Sequence, residues 1–367
     1  MERTLIFTLL VILVAMTPVM AQKTTMDLVR EGMDYIYNRE FQKSQAIIAK
    51  IERTLQKSAI PDLMKALEAF WKYYPVHLEE EKLEIYQKYL ISSYSRASEV
   101  LESDPGNPEA IFLAMASQGL LAESYSESGR SFKAVGAAKR AYNYIKEGSR
   151  KLDQSKEFYL STGLYNYYRE YYPEAYPIYK PFMPFFMKGD KHLGIQQLEI
   201  AAKEASISHV IAQYYLSYIY MRYEYLPSKA QQQGRKLHEF YPDNDVFTAI
   251  FLESLIINKR YKEATPLAIK LQSNPSPYLK IYGDLFMGMI EERSHKNFTN
   301  AERLYRNALE LNDEYNMDRS HLEAFAYLGL GRIYEHKKDP KARKYFKEAL
   351  DQAYTKAMKN EAKSHLN

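Results

Sequence analysis

The chain of 367 residues contains no cysteine. That absence excludes disulfides, thiolate zinc sites, iron–sulfur ligation, a cysteine nucleophile and a lipid-modified N-terminal cysteine. Neither sign of charge dominates. The formal balance is +4 with both signs mixed along the whole length, which argues against a nucleic-acid partner, since such a protein concentrates its basic residues in a stripe. Beyond the first residues there is no apolar run long enough to span a membrane. Close to half of the residues are nevertheless apolar, which allows a sizeable core and argues against global disorder. Tyrosine is the outlier at 34 residues, against 14 glycines and 15 prolines. It supplies large faces that pack on one side and hydrogen-bond on the other.

The N-terminus carries its own signal. Arg3 precedes the apolar run 5–16, and Pro18-Val19-Met20-Ala21-Gln22 follows. A basic start, a short apolar core and small residues at a cut site read as a secretory signal peptide over 1–21, with Val19 and Ala21 suited to cleavage before Gln22. An uncleaved anchor is the alternative, but the run falls short of the ~20 residues a span requires. The expected location is exported: periplasm, or secreted.

Self-similarity sets the architecture. Near the C-terminus stands Tyr327-Leu328-Gly329-Leu330-Gly331-Arg332-Ile333-Tyr334, then Ala342, Phe346, Ala349 and Leu350. Small residues at the glycine and alanine positions let two helices of a hairpin approach, and large residues fill the holes between them. This string resembles the tetratricopeptide repeat, with Asp339-Pro340 in place of the usual turn. Going backwards, Ala301, Ala264, Ala230 and Gly194 mark the same second-helix position. These intervals fit a hairpin repeat of about 34 residues. The first half is looser, with one unit around Gly32 and Phe41, a longer pair over 61–103, and a third around Leu121 and Ala138. The expected fold is all-α, a right-handed superhelical solenoid of about eight such hairpins, each contacting mainly its neighbours. Degenerate hairpins occupy 22–150, a hairpin with an insert 151–204, and a regular array 205–367. One last helix, from Ala342 to about Ser364, serves as the polar cap.

The insert at 171–188 carries four prolines and seven aromatics. It includes Tyr172, Tyr176, Tyr179, Phe182, Phe185 and Phe186. The prolines forbid a long regular helix, and the aromatics argue against a solvated linker. It is expected to fold back as a plug between repeats, the alternative being part of a ligand or partner surface. Around 158–202, the glycine-bearing helix, the insert and Gly189-Asp190-x-x-x-Gly194-x-x-x-Leu198 are similar to the inclusion-body-clearance and outer-membrane tetratricopeptide proteins of eukaryotes. That resemblance implies a shared hairpin shape.

Catalytic patterns are missing from the sequence. Its eight histidines form no His-x-x-x-His or His-Glu-x-x-His pair, and there is no Gly-x-Ser-x-Gly elbow or phosphate-cradling loop. The acidic run 79–81 reads as a helix start. Neither enzyme activity nor a cofactor or metal is expected.

In tetratricopeptide solenoids the first helix of each unit lines a concave groove. Carried onto this chain, the resemblance puts Tyr167, Tyr168, Tyr215, Arg222, Tyr223, Glu253, Arg293, Arg332 and Glu335 there. An aromatic centre flanked by arginines suits an extended peptide, although Tyr168 and Tyr215 could equally be packing residues between repeats. Two function classes stay open. One is an exported scaffold for protein or peptide partners, in a bacterial cell-envelope assembly or transport complex. The other is a small-molecule or lipid carrier with its pocket walled by the aromatic insert.

Overall fold

The computed structural model describes residues 24–315, 320–353 and 355–366, apart from the side chains of Tyr179 and Ser320. The segment read as a signal peptide lies outside the described residues. Among these residues the structure is helical throughout. The first pairs are α1 (Thr25–Tyr37) with α2 (Phe41–Thr54), and α3 (Ile60–Lys72) with α4 (Glu80–Ser103). Next come α5 (Pro108–Glu127) with α6 (Ser131–Gly148), and α7 (Phe158–Ala175) with α8 (Lys191–Glu204). The array continues with α9 (His209–Arg222), α10 (Pro227–Phe240), α11 (Asp245–Ile257) and α12 (Tyr261–Gln272). It ends with α13 (Pro277–Ile290), α14 (Phe298–Glu314), α15 (Ser320–His336), α16 (Lys341–Gln352) and α17 (Lys356–Ser364). Among the described residues successive helices pack as eight hairpins, with α17 against α15 and α16. No described helix is long and apolar enough to cross a membrane.

Local chemistry sets the helix boundaries. Thr24 and Asp27 form a reciprocal capping box at the start of α1. Asn107, Asp190 and Asn297 each accept a backbone N–H of the first turn of α5, α8 and α14. Between the helices of six hairpins one residue turns left-handed: Arg39 (φ 62°), Gly129 (φ 71°), Tyr225 (φ 52°), Lys259 (φ 57°), Lys296 (φ 58°) and Lys338 (φ 56°). Only one of these is glycine, so a conformation that favours glycine recurs here mostly on long basic residues. The small residues of the repeat do the packing expected of them. A side chain at Gly329 would collide with the ring of the buried Tyr305, and one at Gly331 with Phe346.

Two features depart from the sequence expectation. The last helix is divided: α16 ends at Gln352, and Thr355 caps α17 by accepting the N–H of Met358 at 3.2 Å. The larger departure is long-range closure. The first units do not touch only their neighbours. The carboxylate of Asp34 accepts the Tyr241 hydroxyl at 2.6 Å and contacts His209 Nε2 at 3.0 Å. Asn244 donates to the Tyr37 carbonyl at 2.8 Å, and Trp71 packs on Phe247 with centroids 5.3 Å apart. Tyr74 meets Tyr278 both ring to ring and hydroxyl to hydroxyl. Helices α1 and α3 therefore lean on α9, α11 and α13, and the chain curls round to enclose its own interior.

Candidate interior binding site

Closure leaves a partly open space of about 600 Å³ between the first hairpins and α7–α9. Helix α5 presents one face to it. Phe112, Ala116, Gly119, Leu120, Glu123 and Glu127 line the cavity at intervals of three and four residues, the stripe of a single helix face. Leu63, Phe70 and Trp71 of α3 stand across from it, and Tyr168, Tyr214 and Tyr215 of α7 and α9 close another side. At Gly119 an added Cβ would meet nothing within 4 Å. Space is thus left on this face of α5 by a missing side chain. A second space of about 250 Å³ adjoins it, and Tyr168, Tyr214, Tyr215 and Val246 line both. The smaller space is phenol-rich, with Tyr218, Tyr223 and Tyr282 beside Arg222.

The electrostatics concentrate on α5. Glu123 is exposed to the cavity, and loss of part of its hydration to the surrounding walls together with the negative charge of Glu127 pushes its carboxyl up to about 7. Glu127 lies 3.6 Å from His77 Nδ1. Burial pushes the Tyr86 phenol up, and the charges of Glu123 and Glu127 add to this. A carboxyl with a folded-state value above its ordinary 4.5 keeps a proton that the unfolded chain has already lost. Its contribution to stability therefore falls as pH rises from 4.5 to about 7 and is level on either side. With water in the cavity screening the charge, the loss is on the order of 1 kcal/mol. Denaturation midpoints between these pH values should fall more steeply for the wild type than for Glu123→Gln; identical profiles would show that Glu123 is not held in this way.

The residues expected in the groove divide into two groups. Tyr168, Tyr215, Arg222 and Tyr223 do come together at the interior spaces. Arg222 is committed there to internal bonds: it pairs with the buried Glu253 at 2.7 Å, donates to the Tyr218 hydroxyl at 2.7 Å and lies 4.1 Å over that ring. Tyr167 is fully buried, donates to Glu224 at 2.6 Å, and is a packing residue. Arg332 is likewise structural, pairing with Glu292 at 2.6 Å and also with Glu361, while Glu292 in turn accepts the Tyr305 hydroxyl. Arg293 stands half-buried in the π-helical turn Glu291–His295, and Glu335 pairs with His365. Neither lines the interior spaces.

The aromatic insert is a correction. Helix α7 runs through Pro173 to Ala175, and a 3-10 segment spans Pro177–Phe185. It is no buried plug: Ile178 is 76% and Phe185 80% exposed, and Tyr172, Tyr176, Phe182 and Phe186 are also exposed. None of these side chains walls either interior space; that of Tyr179 is outside the described residues. The segment is held from beneath by polar bonds, Arg169 donating to the Met183 carbonyl and Tyr165 to that of Met187, both at 2.7 Å. Sequence reasoning passed over Glu123 and Glu127. Two acidic residues four apart on an otherwise apolar helix were the available signal.

Comparison with known proteins agrees with this architecture. Residues 282–354 match the tetratricopeptide repeat family. That match identifies tetratricopeptide repeats in the C-terminal part of the hairpin stack. No curated protein matches it. Among solved structures it is similar to the human IFIT1 dimer with m7Gppp-AAAA, at 13% identity and a TM-score of 0.39 over 89% of this chain and 94% of that one. The human IFIT1 dimer with PPP-AAAA gives 13% identity and a TM-score of 0.38 over the same shares. Neither likeness bears on the site.

Proposed function

We propose that this chain is a non-catalytic binding protein whose closed superhelix, rather than an open groove, holds its ligand: a small, largely apolar molecule. The observation that carries this reading is the interior cavity of about 600 Å³, walled by aromatic and aliphatic side chains with a few polar groups. That size and lining are those of small-molecule sites. The setting we assign is exported, periplasm or secreted, as the first 21 residues imply. The carrier reading thus moves ahead of the peptide scaffold, with its pocket in a different place from the insert.

Gly119 gives a test that leaves the fold intact. Leucine there projects into open space on α5 and removes a helix-interior glycine, so stability should rise by about 0.5–1 kcal/mol. The same side chain occupies the cavity. Wild-type protein should enhance the fluorescence of an apolar dye and retain small molecules through native mass spectrometry, whereas Gly119→Leu should do neither. Equal dye binding by the two proteins would sink the reading. A second reading, a scaffold for a protein partner in an envelope assembly or transport complex, is favoured by the exposed aromatics at 172–186. A protein captured equally by wild type and Gly119→Leu would support it.

A further inference from the structure

The interior cavity is electrically one-sided. Among the described residues that line it there is no lysine or arginine, and His77 is the one basic group at the carboxylates. Glu157 also borders the space, but its oxygens already accept three backbone N–H groups and a serine hydroxyl. Glu123 has neither a hydrogen bond nor an ion pair among the described residues. It stands four residues from Glu127 on the same helix face, an arrangement that costs stability through like-charge repulsion. Side chains as apolar as Phe70, Leu120 and Met115 line the same space and replace part of the water around it, a second cost, though it stays exposed to the cavity. Neither cost is offset within the protein.

A ligand offsets both if it brings a positive charge. Tyr86 and Tyr215 line the same space as Glu123, and their phenols are near enough for its charge to act on them. Ring faces attract ammonium groups, most strongly where water is excluded. The rest of the cavity is apolar and has room for a hydrocarbon or aromatic body. From this geometry we propose that the cavity binds an organic cation, an ammonium set against Glu123 and Glu127 with its apolar body among the aromatic side chains. The inference rests on the interior being the binding site. Free amines and peptide lysines carry the same ammonium chemistry.

Binding of three probes of one shape tests it at about pH 8, where the carboxylates are ionised: 4-phenylbutylamine, 4-phenylbutanol and 4-phenylbutyrate, followed by calorimetry. The amine should bind at least about tenfold tighter than the alcohol, and the carboxylate weakest. Glu123→Gln and Glu127→Gln should each shrink the amine's advantage over the alcohol, with circular dichroism verifying the fold. Equal binding of amine and alcohol to the wild type overturns the inference but leaves the interior site standing. Binding of none of the three overturns both. A lysine-containing tripeptide added as a fourth probe separates the sources: tighter binding than the free amine assigns the ammonium to a peptide, weaker binding to a small amine.

Discussion

Replacing Glu157 by alanine is expected to cost about 3 kcal/mol or more. The residue directly precedes α7 and is buried. One carboxylate oxygen accepts the backbone N–H groups of Ser206 at 2.7 Å and Ile207 at 2.9 Å. The other accepts the N–H of Ser208 at 3.0 Å and its hydroxyl at 2.7 Å. These are charge-assisted bonds to the connection between α8 and α9, and alanine would leave these largely buried donors without their acceptor. The position matters because α6 and α7 pack more sparsely than the helices within a hairpin. Glu157 ties the start of α7 to the connection between the fourth and fifth hairpins. Glutamine keeps an acceptor oxygen but turns an N–H₂ group towards N–H donors, so it should fall between wild type and alanine. Urea midpoints followed by circular dichroism check the order; an alanine variant within 1 kcal/mol of the wild type would refute the role assigned to the carboxylate.

The hairpins were legible because they are local. Gly194, Ala230, Ala264 and Ala301 recur at the hairpin interval, and each is buried where two helices meet. What the sequence hid is what long-range contact decides. Asp34 and Tyr241 lie 207 residues apart, and nothing in the local pattern of α1 or α10 announces that they bond. Without that closure the interior reads as an open groove, and Arg222 as a hand for a ligand rather than the partner of Glu253. Tyr167 and Tyr168 make the same point at close range. One is sealed in the core and its neighbour lines both interior spaces. A step of one residue turns a side chain by about 100°, and on a helix apolar on several sides no periodicity shows which face looks inward. The insert was misjudged on composition: its aromatics promise burial, but Arg169 and Tyr165 fix its backbone and leave most of its rings outside.

Leucine at Gly283 should have the opposite effect to leucine at Gly119. Gly283 lies in the middle of α13, where a Cβ would press on the backbone of α12's last turn. It would meet the amide nitrogen of Gln272, with the carbonyl carbon of Leu271 at 2.7 Å and the Cα of Gln272 at 2.9 Å. Backbone atoms cannot rotate aside as the end of a side chain can, so the two helices must separate. Overpacking of this kind costs about 1–3 kcal/mol, and a branched side chain puts Gly283→Leu near the upper end. Both exchanges replace a helix-interior glycine, so the gain in helix propensity is common to them and cancels in the comparison. Their stabilities should differ by about 3 kcal/mol, with Gly119→Leu the more stable. Tyr282, next to Gly283, lines the smaller space and meets His321 at 3.4 Å, so a displaced α13 also disturbs that wall. Side-by-side urea titrations decide the matter, because equal stability in the two leucine variants would mean that α12 and α13 do not approach as closely as Gly283 implies.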